Sequence, residues 1–215
     1  VARSFPSYTR LEIPMDKESI QRFRARYREL FGTVNSVDPL YEAVSEAFAE
    51  AIRGVRTDQM TNATPCSEWN VQALLNHNIH VTGFIHRVLT AGPPAGAADV
   101  NGPLPPEGAL AAFQAGAARV LEVVKSPGKL EEELDTPFGR MPGAELMKFP
   151  FMDLLIHRWD LSKGIGQPAT MDSSLADVCF KLFDPIADGL RPPGIFGPAV
   201  TVPVSGSTQD KLLGI

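Results

Sequence analysis

The stretch from residue 149 to residue 160 places a carboxylate and an imidazole within an apolar sequence, and no other stretch constrains the fold as strongly. Asp153 and His157 are four residues apart, so on a helix they lie one above the other on the same face. Their apolar neighbours are Phe149, Phe151, Met152, Leu154, Leu155, Ile156 and Trp159. A buried acid and a buried imidazole both need partners. The stretch therefore predicts a core helix that is packed against other helices.

A shared metal ion is one way to satisfy both groups. A carboxylate and an imidazole one helical turn apart can hold a divalent ion when a neighbouring helix supplies a third ligand. His77, in a second helix-like stretch, is the candidate third ligand. The alternative is an ion pair without a metal, which on a helix surface is worth roughly 0.2–0.5 kcal/mol. The spacing alone fits both, and the apolar surroundings favour the metal site.

The composition of this 215-residue chain excludes several classes of protein. Hydrophobic residues make up 44% and charged residues 21%, which is typical of a globular protein with one sizeable core. The net charge of -5 and the lack of a basic block argue against nucleic-acid binding. No apolar run reaches the roughly 18 residues of a membrane span, and the N-terminal residues lack the apolar core of a signal peptide. With only two cysteines, we expect a cytoplasmic protein without disulfides or membrane partners.

Apolar residues at helical spacing predict four core helices, separated by loops rich in proline and glycine. These helices cover approximately residues 38–56, 70–91, 107–126 and 144–164. Asp38 and Asn70 are candidate N-caps of the first two, and Pro150 is expected to kink the fourth. We therefore predict an all-α fold, an antiparallel four-helix bundle of the kind in which facing helices build a metal site.

Two regions are predicted to flank this bundle or interrupt it. Residues 1–37 form an arm with an amphipathic extension helix at 16–31, and residues 38–215 form the bundle domain. Within the bundle domain, residues 128–143 could form a short hairpin, but their proline and glycine content favours a structured loop. An extra C-terminal helix is expected over 172–190, and the tail that follows it should pack over the bundle.

Six phrases of the sequence, in this order, are similar to a known family. They are Thr-Pro-Cys-Ser-Glu-Trp-Asn-Val (64–71), Leu-Leu-Asn-His (74–77), Thr-Pro-Phe-Gly-Arg-Met-Pro-Gly-Ala-Glu (136–145), Asp-Leu-Leu-Ile-His-Arg-Trp-Asp-Leu (153–161), Phe-Gly-Pro-Ala-Val (196–200) and Gln-Asp-Lys-Leu-Leu (209–213). Over residues 38–213 the chain resembles the actinobacterial metal-binding proteins related to the N-terminal domain of mycothiol-dependent maleylpyruvate isomerase, in the DinB-like superfamily.

The resemblance implies a bundle that holds one divalent metal through a histidine on the second helix and an Asp/Glu-x-x-x-His pair on a later one. Those positions fall on His77, Asp153 and His157. Zinc is the expected metal, with nickel, iron and manganese as alternatives, because two imidazoles and a carboxylate suit several ions. Three protein ligands leave a coordination position open. In the thiol-dependent relatives, this position is thought to take the thiolate of mycothiol, or of bacillithiol.

The function that the resemblance implies is a metal-dependent thiol transferase or isomerase, in which the ion activates a low-molecular-weight thiol towards a small organic substrate. Two alternatives stay open at this point. One is a thiol-independent cyclase, lyase or hydrolase of a biosynthetic pathway, and the other is a non-catalytic protein that binds a metal or a small molecule. A homodimer is also compatible with the sequence, because the helix at 16–31 could dock on a second subunit or on its own bundle.

Three further side chains near the candidate ligands have two interpretations each. His80 follows His77 by three residues and is a candidate catalytic base or fourth ligand, or else a histidine bonded in the wall of the site. Cys66 has no histidine nearby in the sequence, so a structural thiol is favoured over a nucleophile. Asp160 follows His157 by three residues, and it could orient that imidazole or be an exposed acid or cap.

Overall fold

The computed structural model describes residues 37–92, 98–136, 139–191 and 197–215. The predicted extension helix at 16–31 lies outside these residues. The described elements are α1 (Val37–Arg53), α2 (Val71–Leu89), α3 (Ala109–Val124), β1 (Glu133–Thr136), β2 (Gly139–Pro142), α4 (Gly143–Leu146), α5 (Lys148–Gly164), α6 (Ser173–Phe183) and α7 (Thr208–Gly214), with 3-10 turns at Thr57–Gln59 and Asp184–Leu190. The structure is mostly helical, which confirms the all-α prediction. None of the described helices is long and apolar enough to cross a membrane.

Helices α1, α2, α3 and α5 form the predicted four-helix bundle. Helix α1 packs against α3 and α5, and α2 packs against the same two helices. The rings of Phe48 on α1 and Phe113 on α3 are 4.9 Å apart between centroids, and both are fully buried. Helices α2 and α3 approach each other closely at Gly116, where an added Cβ would lie only 2.0 Å from Oγ1 of Thr82.

Helix α5 is buried on all sides over most of its length. Every residue from 148 to 157 is buried, because α1, α2 and α6 all pack against this helix. An ordinary surface helix has one polar face in water. On α5 the polar side chains of residues 148–157 face protein instead, as the apolar sequence around Asp153 and His157 predicted.

The helix predicted over 144–164 is divided into α4 and α5, with a turn residue, Met147, between them. Pro150 explains the position of this interruption. A proline cannot donate to the carbonyl four residues earlier, here Leu146, and its ring clashes with that carbonyl. Pro150 itself lies in the first turn of α5, where backbone N–H groups lack intrahelical acceptors and a proline is tolerated. The expected kink is therefore a break between two helices.

Residues 133–136 and 139–142 form two paired antiparallel strands, so the prediction of a structured loop for this region is wrong. Leu134 on β1 pairs with Met141 on β2, and both side chains are buried in the core. Gly139, at the start of β2, has a φ of 97°, a conformation open mainly to glycine. The proline and glycine content that suggested a loop instead lies at the ends of two short strands.

The C-terminal region begins at the predicted cap, where the Asp172 carboxylate accepts hydrogen bonds from the first N–H groups of α6. The predicted helix over 172–190 is shorter, because α6 ends at Phe183 and the chain continues as a 3-10 turn with Pro185 near its start. Helix α7 packs on α6. The described part of the tail therefore packs mainly on α6.

Candidate metal centre

The three side chains predicted as metal ligands converge between α2 and α5. His77 comes from α2, and Asp153 and His157 come from successive turns of α5. One candidate ligand atom of each residue lies within 4.8 Å of those of the other two. The two histidines are 1% and 0% exposed and the aspartate is 7% exposed. The cluster is thus a group of one carboxylate and two imidazoles with almost no surface accessible to solvent.

The separations between the Asp153 carboxylate and the two imidazoles fit a shared ion better than direct hydrogen bonds. The Asp153 carboxylate lies 3.4 Å from Nε2 of His77 and 3.3 Å from Nε2 of His157. Charge-assisted N–H···O bonds are shorter, about 2.7–2.9 Å. Donor atoms about 2.0–2.1 Å from a tetrahedral zinc ion lie about 3.3–3.4 Å from one another, by the geometry of the tetrahedron. Both the donor set and the spacing are therefore suitable for a divalent ion.

Burial and charge together set the protonation of the three groups. Burial raises the pKa of Asp153, but the two adjacent imidazoles more than offset this and hold it well below its ordinary value. Burial lowers the pKa of His77, and Asp153 opposes this only in part. Burial also lowers the pKa of His157, but Asp153 and Asp160 raise it to well above its ordinary value. The buried carboxylates thus favour a positive charge at this position, which either a proton or a divalent ion can supply.

Asp160 fixes the opposite side of the His157 ring. Its Oδ2 atom is 3.0 Å from Nδ1 of His157, and both side chains are fully buried. When Nδ1 donates its proton to this carboxylate, the lone pair of Nε2 is directed towards Asp153 and His77. Of the two interpretations open from the sequence, the structure supports the orienting role, and an exposed acid is excluded.

The loop before α2 brings Cys66 and Trp69 to the site, and sequence reasoning missed their contacts. The Sγ atom of Cys66 lies 3.9 Å from Nδ1 of His157 and 3.4 Å from Oδ2 of Asp160. The Trp69 ring packs against His77 with centroids 4.5 Å apart. Burial raises the pKa of the Cys66 thiol, so at neutral pH this thiol is a protonated donor rather than a nucleophile. The signal that could have found both residues is the phrase at 64–71, which stands directly before the helix of His77.

Hydrogen bonds hold this loop against the end of α5. Thr64 Oγ1 donates to the carbonyl of Trp69 at 2.7 Å, and the Asn70 side chain caps α2 as predicted. Asn62 donates to the carbonyl of Gly164 at 3.0 Å. A Cβ on Gly164 would lie 3.1 Å from the Thr64 side chain, so the glycine permits this close approach. The loop therefore presents its cysteine and its tryptophan at fixed positions beside the candidate ligands.

Two other groups share the electrostatic surroundings of the cluster. His80, the predicted catalytic residue, is half-buried on α2, and its pKa is lowered by burial, by Arg87 and by His77. It is therefore neutral near pH 7 and can accept a proton. Tyr41 on α1, which the sequence did not single out, is buried. Burial raises its pKa, and the charge of Asp153 raises it further. The catalytic role of His80 stays a prediction.

Comparison with protein families matches residues 41–162 to the mycothiol maleylpyruvate isomerase N-terminal domain. The match covers more than half of the chain. The chain belongs to this family. It is similar to two uncharacterized proteins of Mycobacterium tuberculosis, from strains CDC 1551 and H37Rv, each 33% identical over 142 residues that span 65% of this chain and 74% of the relative. No solved structure matches the chain. The resemblance drawn from the sequence is confirmed, and the family region includes the loop, α2 and the ligand-bearing turns of α5.

Proposed function

We propose that the chain is a metal-dependent enzyme in which His77, Asp153 and His157 hold one divalent ion that activates a low-molecular-weight thiol. The observation that carries this proposal is the convergence of the three buried side chains at separations suited to a shared ion. The description of the matching family names mycothiol, which is such a thiol. Zinc is the proposed metal, and nickel, iron and manganese are the alternatives for this ligand set.

The chemistry of the ligand set supports thiol activation. A bound divalent ion lowers the pKa of a coordinated thiol, so that the nucleophilic thiolate is present at neutral pH. Asp153 contributes one negative charge and the two neutral imidazoles contribute none, so a divalent ion together with these three ligands would keep a net positive charge that attracts an anion. Trp69 covers one side of the imidazoles and limits the entry of water. His80 is neutral near pH 7 and is the proposed acceptor for the thiol proton.

The first test is the metal content of protein purified without a metal-affinity column, before and after soaking with zinc. We expect about one ion per chain in the wild type, in keeping with a single three-ligand site. We expect the bound ion to be lost in His157→Ala. The control is His86→Ala, the same substitution at a half-buried histidine on α2, and it should keep the ion. If the wild type holds no metal and takes up none, Asp153 and His157 are a structural ion pair and the proposal fails.

The second test separates thiol activation from other metal chemistry. Mycothiol is titrated into metal-loaded protein and into chelator-treated protein, and binding is followed by calorimetry. We expect binding only to the metal-loaded protein, together with a metal-dependent rate of thiol transfer to a small electrophile. A metal-loaded protein that does not bind the thiol would contradict the proposed function and favour a thiol-independent cyclase, lyase or hydrolase. Binding without any turnover would instead indicate a sequestering module.

A further inference from the structure

A second cluster of buried polar groups lies on the side of His157 that faces away from the candidate ligands. Nδ1 of His157 is 3.0 Å from Oδ2 of Asp160, and Sγ of Cys66 is 3.4 Å from the same oxygen. The three side chains are between 0% and 2% exposed. Polar groups buried to this extent must satisfy one another, because water does not reach them.

The distances indicate a hydrogen-bonded cluster rather than a second metal site, although the three residue types could bind an ion. The 3.0 Å separation between His157 and Asp160 is normal for an N–H···O hydrogen bond. The separation on the other side, 3.3 Å from Nε2 to Asp153, is not typical of a charge-assisted bond. A neutral imidazole offers one donor and one acceptor nitrogen, so ions at both nitrogens would require the ring to lose both protons. His157 therefore has one hydrogen-bonded side and one side suited to a metal.

The positions of the protons in this cluster follow from the groups themselves. An ionised carboxylate only accepts hydrogen bonds, so Nδ1–H of His157 and S–H of Cys66 both donate to Oδ2 of Asp160. The other oxygen, Oδ1, has no hydrogen-bond partner among the described residues. Asp160 is thus a fully buried acid whose described hydrogen bonds come from only two donors, and Cys66 is one of them.

We propose that Cys66 is a positioning residue that acts on the metal centre through Asp160 and His157. This inference rests on the proposed metal site. By donating to Asp160, the thiol holds the carboxylate in place, so that it accepts the Nδ1–H hydrogen bond of His157 and directs the lone pair of Nε2 towards the ion. Without the thiol, Asp160 would be a buried charge with one described donor, which is costly. Asp160 would then rotate away from Nδ1, and His157 would no longer be held in the tautomer that binds metal.

The test compares metal affinity in Cys66→Ala, Cys66→Ser and Asp160→Asn, measured by competition with a chelator for Zn²⁺ and for Co²⁺. Loss of such an outer partner typically lowers metal affinity by about 10–100-fold. We expect a fall in this range for Asp160→Asn, and a fall of about tenfold, at the lower end, for Cys66→Ala. Cys66→Ser keeps a donor and should restore most of the affinity. The visible spectrum of the Co²⁺-loaded protein should change in the variants that lose affinity.

The matched control is Cys179→Ala, the same substitution at a fully buried thiol on α6. It should lower the thermal unfolding midpoint, as Cys66→Ala should, but leave metal affinity and the Co²⁺ spectrum unchanged. The inference is overturned if the wild type binds metal and Cys66→Ala matches Cys179→Ala in both readouts.

A measurement on the wild type keeps the inference testable if Cys66→Ala does not fold. Nitrogen-15 NMR of the imidazoles distinguishes the two tautomers. The chain has four histidines, and the signal that disappears in His157→Gln is the signal of His157. We expect the proton on Nδ1, in a hydrogen bond that Asp160→Asn perturbs. A His157 ring without a proton on Nδ1 would contradict the inference. If the wild type binds no metal, the proposed function fails, whereas this measurement still decides whether the hydrogen-bonded cluster exists.

Discussion

His157 has a different kind of neighbour at each ring nitrogen, and this asymmetry predicts an unusual pH dependence for the metal-free protein. The pKa of His157 is raised well above the ordinary 6.5. Its contribution to stability is therefore fully present below about pH 6.5 and is lost as the pH rises through the raised pKa. The pKa of Asp153 is lowered below the ordinary 3.8, so its contribution is present above about pH 3.8 and is lost as the pH falls. His77, with a lowered pKa, opposes stability as the pH falls below about 6.5.

We therefore expect chelator-treated protein to lose stability over the pH range above about 6.5, because His157 loses its proton between two carboxylates as the pH rises through its raised pKa. The metal-loaded protein should not lose stability over this window, because metal ligands bind more strongly once deprotonated. The free energy of unfolding, measured by urea denaturation at a series of pH values, tests this difference. His157→Gln should flatten the curve of the chelator-treated protein. A chelator-treated wild type that gains stability across this window would contradict the assignment of charges in the cluster.

At the scale of single elements, the close crossing of α2 and α3 depends on Gly116. An added Cβ would lie 2.0 Å from Oγ1 and 2.8 Å from Cβ of Thr82, so the helices would have to separate. Replacing glycine by alanine inside a helix raises the free energy of unfolding by about 0.5–1 kcal/mol, whereas overpacking lowers it by about 1–3 kcal/mol. The second effect should prevail, and we expect Gly116→Ala to lower the free energy of unfolding by about 1–2 kcal/mol.

Gly83→Ala is the matched control, because Gly83 is also inside a bundle helix, α2, and the nearest neighbour of its added Cβ would be the Arg87 side chain, at 3.5 Å, an ordinary van der Waals distance. We expect this variant to be more stable than the wild type by about 0.5–1 kcal/mol, the ordinary helix preference for alanine. Chemical denaturation of both variants shows directly whether each substitution raises or lowers the free energy of unfolding. If Gly116→Ala is also stabilising, α2 and α3 are not packed as closely as described.

The elements also show what could be predicted from the sequence. Helices α1, α2 and α3 follow from local apolar periodicity and caps, and the Asp153–His157 pair follows from spacing on one helix. The contact of Cys66 with His157 joins residues 91 positions apart. It depends on how a loop docks at the end of α5, which no local pattern encodes. The hairpin was missed for a similar reason. The burial of Leu134 and Met141 in the core stabilises the two strands more than their proline and glycine content disfavours them.

At the scale of the whole molecule, a metal at this site would join two helices that are far apart in the chain. His77 on α2 and Asp153 on α5 are 76 positions apart, and the unfolded chain does not hold them together. A ligand that binds only the folded state stabilises it in proportion to the logarithm of its concentration. At a free concentration about 1,000 times the dissociation constant, this amounts to about 4 kcal/mol.

For a chain of roughly this length, 1 kcal/mol raises the unfolding midpoint by about 2–4 °C. We therefore expect saturating Zn²⁺ to raise the midpoint of chelator-treated protein by about 8–16 °C in a calorimetric scan. The His157→Ala variant should show little shift, and His86→Ala should respond like the wild type. Equal shifts in the wild type and in His157→Ala would show that the ion stabilises the fold elsewhere. In that case the α2–α5 cluster would not be the metal site, even though its three side chains converge.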